Sequence, residues 1–177
     1  MAQDLPLKSI PLPPKDTDSG NIISRMVQGL GYRYYWATKD LRQEDLSFRP
    51  SSDASSTLET MQHIYELSEM IYATSQKKNI IRPLIDIPES YGELRERTLI
   101  YIKNAEETFA GQSASEVGEF KLVFERGGEQ SVFPIWNLLN GPLSDALYHT
   151  GQLVSFRRTS GNPIQKGVNV FLGKTKE

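Results

Sequence analysis

Four long segments of the chain carry apolar residues at alternating steps of three and four, which is the spacing of an amphipathic helix. The clearest seam consists of Ile23, Val27, Leu30, Tyr34, Ala37 and Leu41. The four seams predict helices at about 19–41, 55–75, 89–110 and 134–160, the last interrupted at Asn140-Gly141-Pro142. The pattern therefore indicates a mainly α fold built from packed helices.

Local signals place some of the boundaries. Ser56-Thr-Leu-Glu59 matches a capping box at the start of the second helix. The clear strand signal is a hairpin at about 120–133, inserted before the last helix, with Gly127-Gly128 at its turn. Gly29 and Gly31 weaken the first helix, but they would permit the close approach of a neighbouring segment.

The two ends of the chain lack helical periodicity. Residues 1–17 contain four prolines, so we predict an extended N-terminal arm, and its apolar residues favour an arm that lies along the body. Residues 164–177 are predicted to form an extended tail. A length of 177 residues suits a single domain spanning 1–177.

Composition narrows the class of protein. The net charge of −2 provides no electrostatic footprint for nucleic acid or for an anionic membrane. The absence of cysteine excludes disulfides, thiolate metal sites and cysteine nucleophiles. No apolar run is long enough to span a bilayer, and the N-terminus does not have the pattern of a signal peptide. We therefore expect a cytoplasmic protein that binds neither nucleic acid nor membranes.

The candidate chemistry lies in the second and last helices. Asp145 and His149 are four residues apart, which places both side chains on one helical face. The other histidine of the chain, His63, lies in the second helix, and Gln152 extends the Asp145–His149 face as a donor that could orient a ligand. We predict a metal site of His63, Asp145 and His149, whose open coordination positions are typical of catalytic sites.

Simpler interpretations of the same residues stay open. Asp-x-x-x-His is also an ordinary surface pair, and His63 could be a hydrogen-bonded core residue. On the helical wheel we expect His63 to face Leu67 and Met70 and to point away from an acidic strip formed by Glu59, Glu66 and Glu69. Spacing alone therefore does not decide between a metal site and a structural role.

Arg157 is anomalous because it falls inside the apolar arc of the last helix. Arginine avoids such a position unless its charge is satisfied. We therefore predict a buried ion pair between Arg157 and a carboxylate from another helix.

Two segments resemble a known family. Asp145-Ala-Leu-Tyr-His149-Thr-Gly-Gln152, followed by Arg157-Arg158 and Gly161-Asn-Pro163, is similar to the last-helix signature of the DinB/YfiT-like family. Phe48-Arg49-Pro50 followed by Thr60-Met-Gln-His63-Ile64 resembles that family's second-helix signature. The resemblance covers roughly residues 18 to 163.

The resemblance implies a four-helix bundle in up-down-down-up order, with the small β-hairpin inserted before the last helix, that assembles as a homodimer. The family's metal is held by a second-helix histidine and a His-x-x-x-His pair. His63 matches the first ligand and His149 the last, whereas Asp145 replaces the middle histidine. Because a carboxylate is a harder ligand than imidazole, the metal's identity stays open, with zinc or nickel preferred over iron or manganese.

The resemblance also implies an activity. Characterised members are similar to metal-dependent thiol S-transferases, so we expect a divalent-metal-dependent enzyme that uses a low-molecular-weight thiol and a small-molecule substrate. A metal-dependent hydrolase, with metal-activated water as the nucleophile, is one alternative. A non-catalytic bundle that serves in a stress response or as an interaction module is the other.

Overall fold

The computed structural model describes residues 4–176 and is mainly helical with a few short strands. The helices are α1 Ser19–Thr38, α2 Gln43–Ser47, α3 Thr57–Ser75, α4 Tyr91–Phe109, α5 Ala114–Glu119, α6 Trp136–Leu138 and α7 Ser144–Thr159. The strands are β1 Ile80–Ile81, β2 Lys121–Arg126, β3 Glu129–Pro134, β4 Val168–Asn169 and β5 Lys174–Thr175. Residues 1–3 of the predicted arm and residue 177 of the predicted tail lie outside the described residues.

The four long helices pack against one another in a ring, because α1 and α3 each contact both α4 and α7. Side-chain hydrogen bonds establish that α1 and α4 are antiparallel. In the N-terminal half of α1, Ser24 Oγ (3.2 Å) and Gln28 Nε2 (2.7 Å) donate to Glu106 Oε2, close to the end of α4. At the opposite end of this pair, Arg95 Nη2 donates to the carbonyl of Tyr35 (3.2 Å).

Helices α3 and α4 run parallel. Tyr65 and Tyr101 form a ring pair with centroids 5.5 Å apart. About three turns further on, at the C-cap of α3, Gln76 Nε2 donates to Thr108 Oγ1 (2.8 Å). The chain therefore crosses between α3 and α4 through the extended segment that contains β1. No helix within residues 4–176 combines the length and the apolar character needed to cross a membrane.

The core lies between these helices and is rich in tyrosine and aliphatic side chains. Tyr32, Tyr34 and Tyr65 are fully buried. Gly31 allows the close approach that its sequence position suggested, because a Cβ there would collide with Leu7 of the N-terminal arm and lie 3.0 Å from Ile102 of α4. Gly31 thus lowers the helix propensity of α1, but it allows the arm and α4 to pack tightly on α1.

The predicted capping box at the start of α3 is confirmed. Ser56 Oγ accepts from the backbone N–H of Glu59 (3.2 Å), and the Glu59 carboxylate accepts from the backbone N–H of Ser56 (2.7 Å). Arg49 joins this cap by donating to Glu59 Oε1 (2.8 Å). These bonds fix where α3 begins and therefore the orientation of the turn that carries His63.

The predicted hairpin is present as β2 and β3, with Leu122 opposite Phe133. Gly127 and Gly128 both have positive φ, at 59° and 86°, as a two-residue type I′ turn requires. β1 adds to β2 as a parallel edge strand. Buried Leu122 of β2 anchors the sheet on the helical core, which an isolated hairpin would need in order to be stable.

The N-terminal arm lies along the body, as its apolar residues indicated. Leu7 is buried, and Trp36 Nε1 donates to the carbonyl of Lys8 (3.1 Å). The C-terminal tail differs from its predicted extended form, because β4 and β5 fold into a small hairpin. Asn169 Oδ1 accepts from two backbone N–H groups within the turn and so replaces water as their partner.

Arg157 is buried as predicted, with an exposed fraction of 4%. The predicted ion pair with a carboxylate is wrong, because no described carboxylate lies within ion-pair distance of the guanidinium. Its Nη1 instead donates to three backbone carbonyls at the end of α1, those of Trp36 (3.2 Å), Ala37 (3.3 Å) and Lys39 (2.7 Å). The C-terminal carbonyls of a helix lack intrahelical partners and attract a cation, so Arg157 caps α1 from another helix.

Candidate metal centre

Helices α3 and α7 bring the three predicted ligands together. His63 Nε2 lies 3.4 Å from Asp145 Oδ2, and His149 Nε2 lies 3.3 Å from Asp145 Oδ1. One ligand atom from each of the three residues lies within 4.8 Å of the other two. Each carboxylate oxygen therefore faces one imidazole, and the two rings contact each other edge to face with centroids 4.6 Å apart. The group could hold a metal ion.

The separations suit a divalent ion. Ligand atoms about 2.0–2.1 Å from a tetrahedral zinc ion lie about 3.3–3.4 Å from each other. The two measured imidazole–carboxylate separations are close to this value, although each runs to a different oxygen of Asp145. Two nitrogens with one oxygen are donors that zinc, nickel, iron and manganese accept. The donor set therefore fits the predicted metal in chemistry, and its atoms lie close enough together for one ion to be shared.

Gln152 contacts the second ring nitrogen of His149. The Nδ1 atom of His149 lies 2.7 Å from Gln152 Oε1. Since a carbonyl oxygen only accepts, the contact is a hydrogen bond when Nδ1 carries a proton, and the neutral imidazole of that tautomer can offer its Nε2 lone pair to a metal. Histidine ligands commonly have their second nitrogen held in this way. Gln152 was predicted as a donor, whereas here its side-chain oxygen accepts.

His63 does not point away from the acidic residues of α3, so that expectation is wrong. Its Nδ1 lies 3.8 Å from Glu66 Oε2, and His63 shares the lining of a cavity with Glu59. Residues three apart on a helix differ by only about 60° in direction. Glu66 therefore sits beside His63 much as Gln152 sits beside His149.

The local sequence explains how Asp145 reaches this position. A π-helical turn at Leu139–Leu143 leads into α7, and Gly141 within it has non-helical φ and ψ angles of −95° and −110°. The interruption predicted at Asn140-Gly141-Pro142 is therefore confirmed. It resets the direction of the chain so that α7 begins at Ser144 with Asp145 in its first turn, where the helix dipole favours negative charge.

The three side chains are accessible from solvent. The exposed side-chain fractions are 41% for His63, 43% for Asp145 and 21% for His149. A cavity of about 260 Å³ opens beside both histidines, and the loop between α2 and α3 forms one wall. Its other lining residues include Pro50, Thr60, Gln152 and Phe156. A small molecule could thus approach the ligand group without any movement of the helices.

The charges around the group are mostly negative. Asp145 and Glu66 place two carboxylates against the imidazoles, which complements a divalent cation. Glu59 adds a third carboxylate to the cavity wall, where hydrogen bonds from Arg49 and then from Ser56 lower its pKa to about 2. The guanidinium of Arg49 is thereby held at the cavity rim rather than at the imidazoles.

Two features of the site did not follow from the sequence pattern. Glu66 was assigned to a separate acidic strip, although its position three residues after His63 matches that of Gln152 after His149. The other feature is the contact of Phe156 with Phe48, with ring centroids 5.8 Å apart, which depends on the path of the connecting loop. Equal i,i+3 spacing after both histidines was the signal that could have identified Glu66.

Comparisons with protein-family models and with curated proteins identify no relative of this chain. No protein-family model matches the chain, and no curated protein matches it. The DinB/YfiT-like resemblance therefore stays a prediction that rests on its two motifs.

Proposed function

We propose that this chain is a divalent-metal-dependent enzyme in which His63, Asp145 and His149 hold the ion, and that its reaction is thiol S-transfer. The observation that carries the proposal is the convergence of one ligand atom from each residue within 4.8 Å. Gln152 supports it, because its side-chain oxygen can accept from His149 Nδ1–H, as the partners of histidine ligands commonly do.

The proposed fold is the DinB-like four-helix bundle. The ring of α1, α3, α4 and α7 supports it, since α4 is antiparallel to α1 and parallel to α3. In that order the two proposed ligand helices are neighbours, which is what a site shared between them needs. The homodimer belongs to the same proposal, and light scattering of purified protein tests it.

A divalent ion in this site would act as a Lewis acid that lowers the pKa of a thiol or of water. The chain's own residues would bind and orient. Asp145 would supply a negative charge beside both imidazoles, and Gln152 would orient the ring of His149. Three protein ligands leave room for a ligand from the substrate.

The shape of the cavity supports a small substrate. At about 260 Å³ it is smaller than most drug-sized sites, which run from about 300 to 1,000 Å³. Phe156 and Pro50 provide apolar wall, while Thr60 and Gln152 provide polar groups. This mixture suits a short thiol or a compact electrophile better than an extended polymer.

Isothermal titration of zinc-loaded protein with glutathione, bacillithiol and coenzyme A tests the thiol proposal. We expect saturable heat with at least one thiol, and loss of that heat in Phe156→Trp, which would fill the cavity while leaving the three ligands in place. The matched control is Phe133→Trp, at an exposed site on β3. Metal binding without heat from any thiol would contradict thiol transfer and favour the hydrolase alternative.

A further inference from the structure

A second and larger cavity lies between α1 and α7, on the face of α7 opposite the metal ligands. Its volume is about 840 Å³, within the range of about 300–1,000 Å³ that small-molecule sites occupy. Positions 147, 151, 154 and 158 of α7 line it, whereas positions 149, 152 and 156 line the cavity beside the histidines. Different faces of α7 therefore line two separate cavities.

The walls of this cavity are apolar. Leu147 and Val154 contribute from α7, and Met26 contributes from α1 with an exposed fraction of 39%. The tail hairpin closes one side with Val170, Phe171 and Leu172, all of which are more than 45% exposed. Such a concave apolar surface left open to solvent is costly in water and is typical of ligand grooves.

Three arginines also line the cavity, namely Arg25, Arg33 and Arg158, and no carboxylate is found among its described lining residues. Such a local excess of positive charge is unusual in a chain with a net charge of −2. Elsewhere in the described chain Arg42, Arg49, Arg82 and Arg97 each pair with a carboxylate. Within residues 4–176, no carboxylate forms an ion pair with the three arginines of the cavity.

The guanidinium groups also have unused donors. Arg25 Nη1 donates to the carbonyl of Pro11 (3.0 Å), but its Nη2 is buried and has no hydrogen-bond partner among the described residues. Arg33 donates from Nη1 to the carbonyl of Gly29 (2.9 Å), and Arg158 has no hydrogen bond or ion pair with any described residue. A buried donor without a partner destabilises the fold unless a ligand or water satisfies it.

We propose that this cavity binds a small amphipathic anion, in which a carboxylate or phosphate head contacts the arginines and an apolar chain lies against the tail hairpin. Guanidinium groups match these heads because their planar forks donate two parallel hydrogen bonds. The apolar lining supplies the remaining free energy. A neutral ligand would leave the arginines unmatched, and a simple inorganic anion would leave the apolar wall exposed.

Isothermal titration with decanoate, below its micelle concentration, tests the proposal. The full chain is used in the presence of a chelator, so that the metal site plays no part. We expect saturable heat, with binding roughly tenfold weaker for decan-1-ol and for the double variant Arg33→Gln/Arg158→Gln, since each loses charge-assisted hydrogen bonds. Decyl phosphate in place of decanoate distinguishes the two head groups.

Two further variants serve as a blocking mutation and as a control. Gly151→Phe places a ring at a cavity position where an added Cβ meets no atom within 4 Å, so it should block binding without unfolding α7. Arg126→Gln, at the exposed end of β2, is the matched control and should bind as the wild type does.

Three results would overturn the proposal. They are absence of saturable heat from both amphiphiles, equal affinity for the acid and the alcohol, and equal affinity of the double variant and the wild type. Sedimentation provides a fourth such result. If the wild type is a dimer and Met26→Glu dissociates it, a second copy of the chain fills the cavity.

Discussion

The two ends of α7 carry polar clusters that look similar in the sequence but differ in the fold. At the C-terminal end, buried Arg157 has all of its guanidinium nitrogens hydrogen-bonded to carbonyl groups. At the N-terminal end, Asp145 and His149 are partly exposed and lie 3.3 Å apart. The first cluster is satisfied by the protein itself. The second has ligand atoms that converge on a point where the described chain supplies no cation.

The difference separates a structural role from a binding role. Asn162 links Arg157 to Asp45, since Asn162 Oδ1 accepts from Arg157 and its Nδ2 donates to Asp45 Oδ2 (2.7 Å). That network holds the ends of α1 and α7 together. Full hydrogen bonding and burial indicate stability, whereas exposed, converging acceptors indicate a ligand.

The largest expected effect is the loss of folding stability when Arg157, in the C-terminal cluster of α7, is replaced. Arg157→Ala would leave the carbonyls at the end of α1 without their donor and should lower the free energy of unfolding by about 3 kcal/mol or more. Urea denaturation measures this. Arg158→Ala, at the neighbouring exposed position, is the control and should change stability by less than about 0.5 kcal/mol. A small effect at Arg157 would mean that the two ends of α7 do not differ as described.

Zinc should stabilise the fold by binding to the cluster at the N-terminal end of α7. At a free concentration 100 times its dissociation constant, an ion that binds only the folded chain adds about 2.7 kcal/mol. We expect this gain in the wild type and none in His149→Ala, with equal stability of the two proteins in chelator. The gain should shrink at low pH because imidazole must lose its proton to bind. Equal stabilisation of both proteins would place the ion elsewhere.

Asp45 makes the structural cluster sensitive to acid. The side-chain hydrogen bond from Arg42, followed by that from Ser160, lowers the pKa of the Asp45 carboxyl well below its ordinary value. A depressed folded-state pKa contributes stability above the unfolded value of about 4, and this stability is lost as pH falls below it. Asp45→Asn should therefore lose about 2 kcal/mol at neutral pH.

The pH dependence of that loss provides the check. Wild type and Asp45→Asn should converge in stability as pH drops below about 4, measured by denaturant titration at each pH. A constant difference between the two proteins down to the lowest pH would show that the carboxylate charge is not the source of the stability.

The smallest effect should come from the residues that orient the imidazoles. Gln152→Ala should weaken zinc binding by about tenfold, which is the low end for loss of a group that holds a histidine ligand. Glu66→Ala should have a smaller effect, since its oxygen lies 3.8 Å from His63 Nδ1 and not at hydrogen-bond distance. Competition with a chromophoric chelator measures both. A larger loss from Glu66→Ala would reverse the assigned order.

Spacing was sufficient to predict what lies within one helix. Asp145 and His149 share a face because they are four residues apart, and the anomaly at Arg157 predicted its burial. The partner of Arg157 did not follow, because it depends on where α1 ends and on which of its carbonyls α7 meets. The pairing of β1 with β2 was equally inaccessible, since a two-residue strand carries no periodicity.

Contacts between helices did not follow from local spacing. His63 lies 82 residues from Asp145 in the chain, and no local rule brings them together. Leu67 is buried while His63 remains partly exposed, so the helical wheel gave the wrong neighbours for the imidazole. The packing of α3 against α7 decides which face of α3 is covered, and this is a property of the whole fold.

The most direct test is the zinc stoichiometry of chelator-treated protein that carries no histidine tag, measured by equilibrium dialysis and elemental analysis. We expect one ion per chain in the wild type and loss of that ion in His63→Ala, Asp145→Ala and His149→Ala, with the fold retained. Nickel, iron and manganese measured in parallel identify the preferred metal. Equally low binding of every metal by the wild type and by His63→Ala would contradict the metal centre, and with it the proposed enzyme.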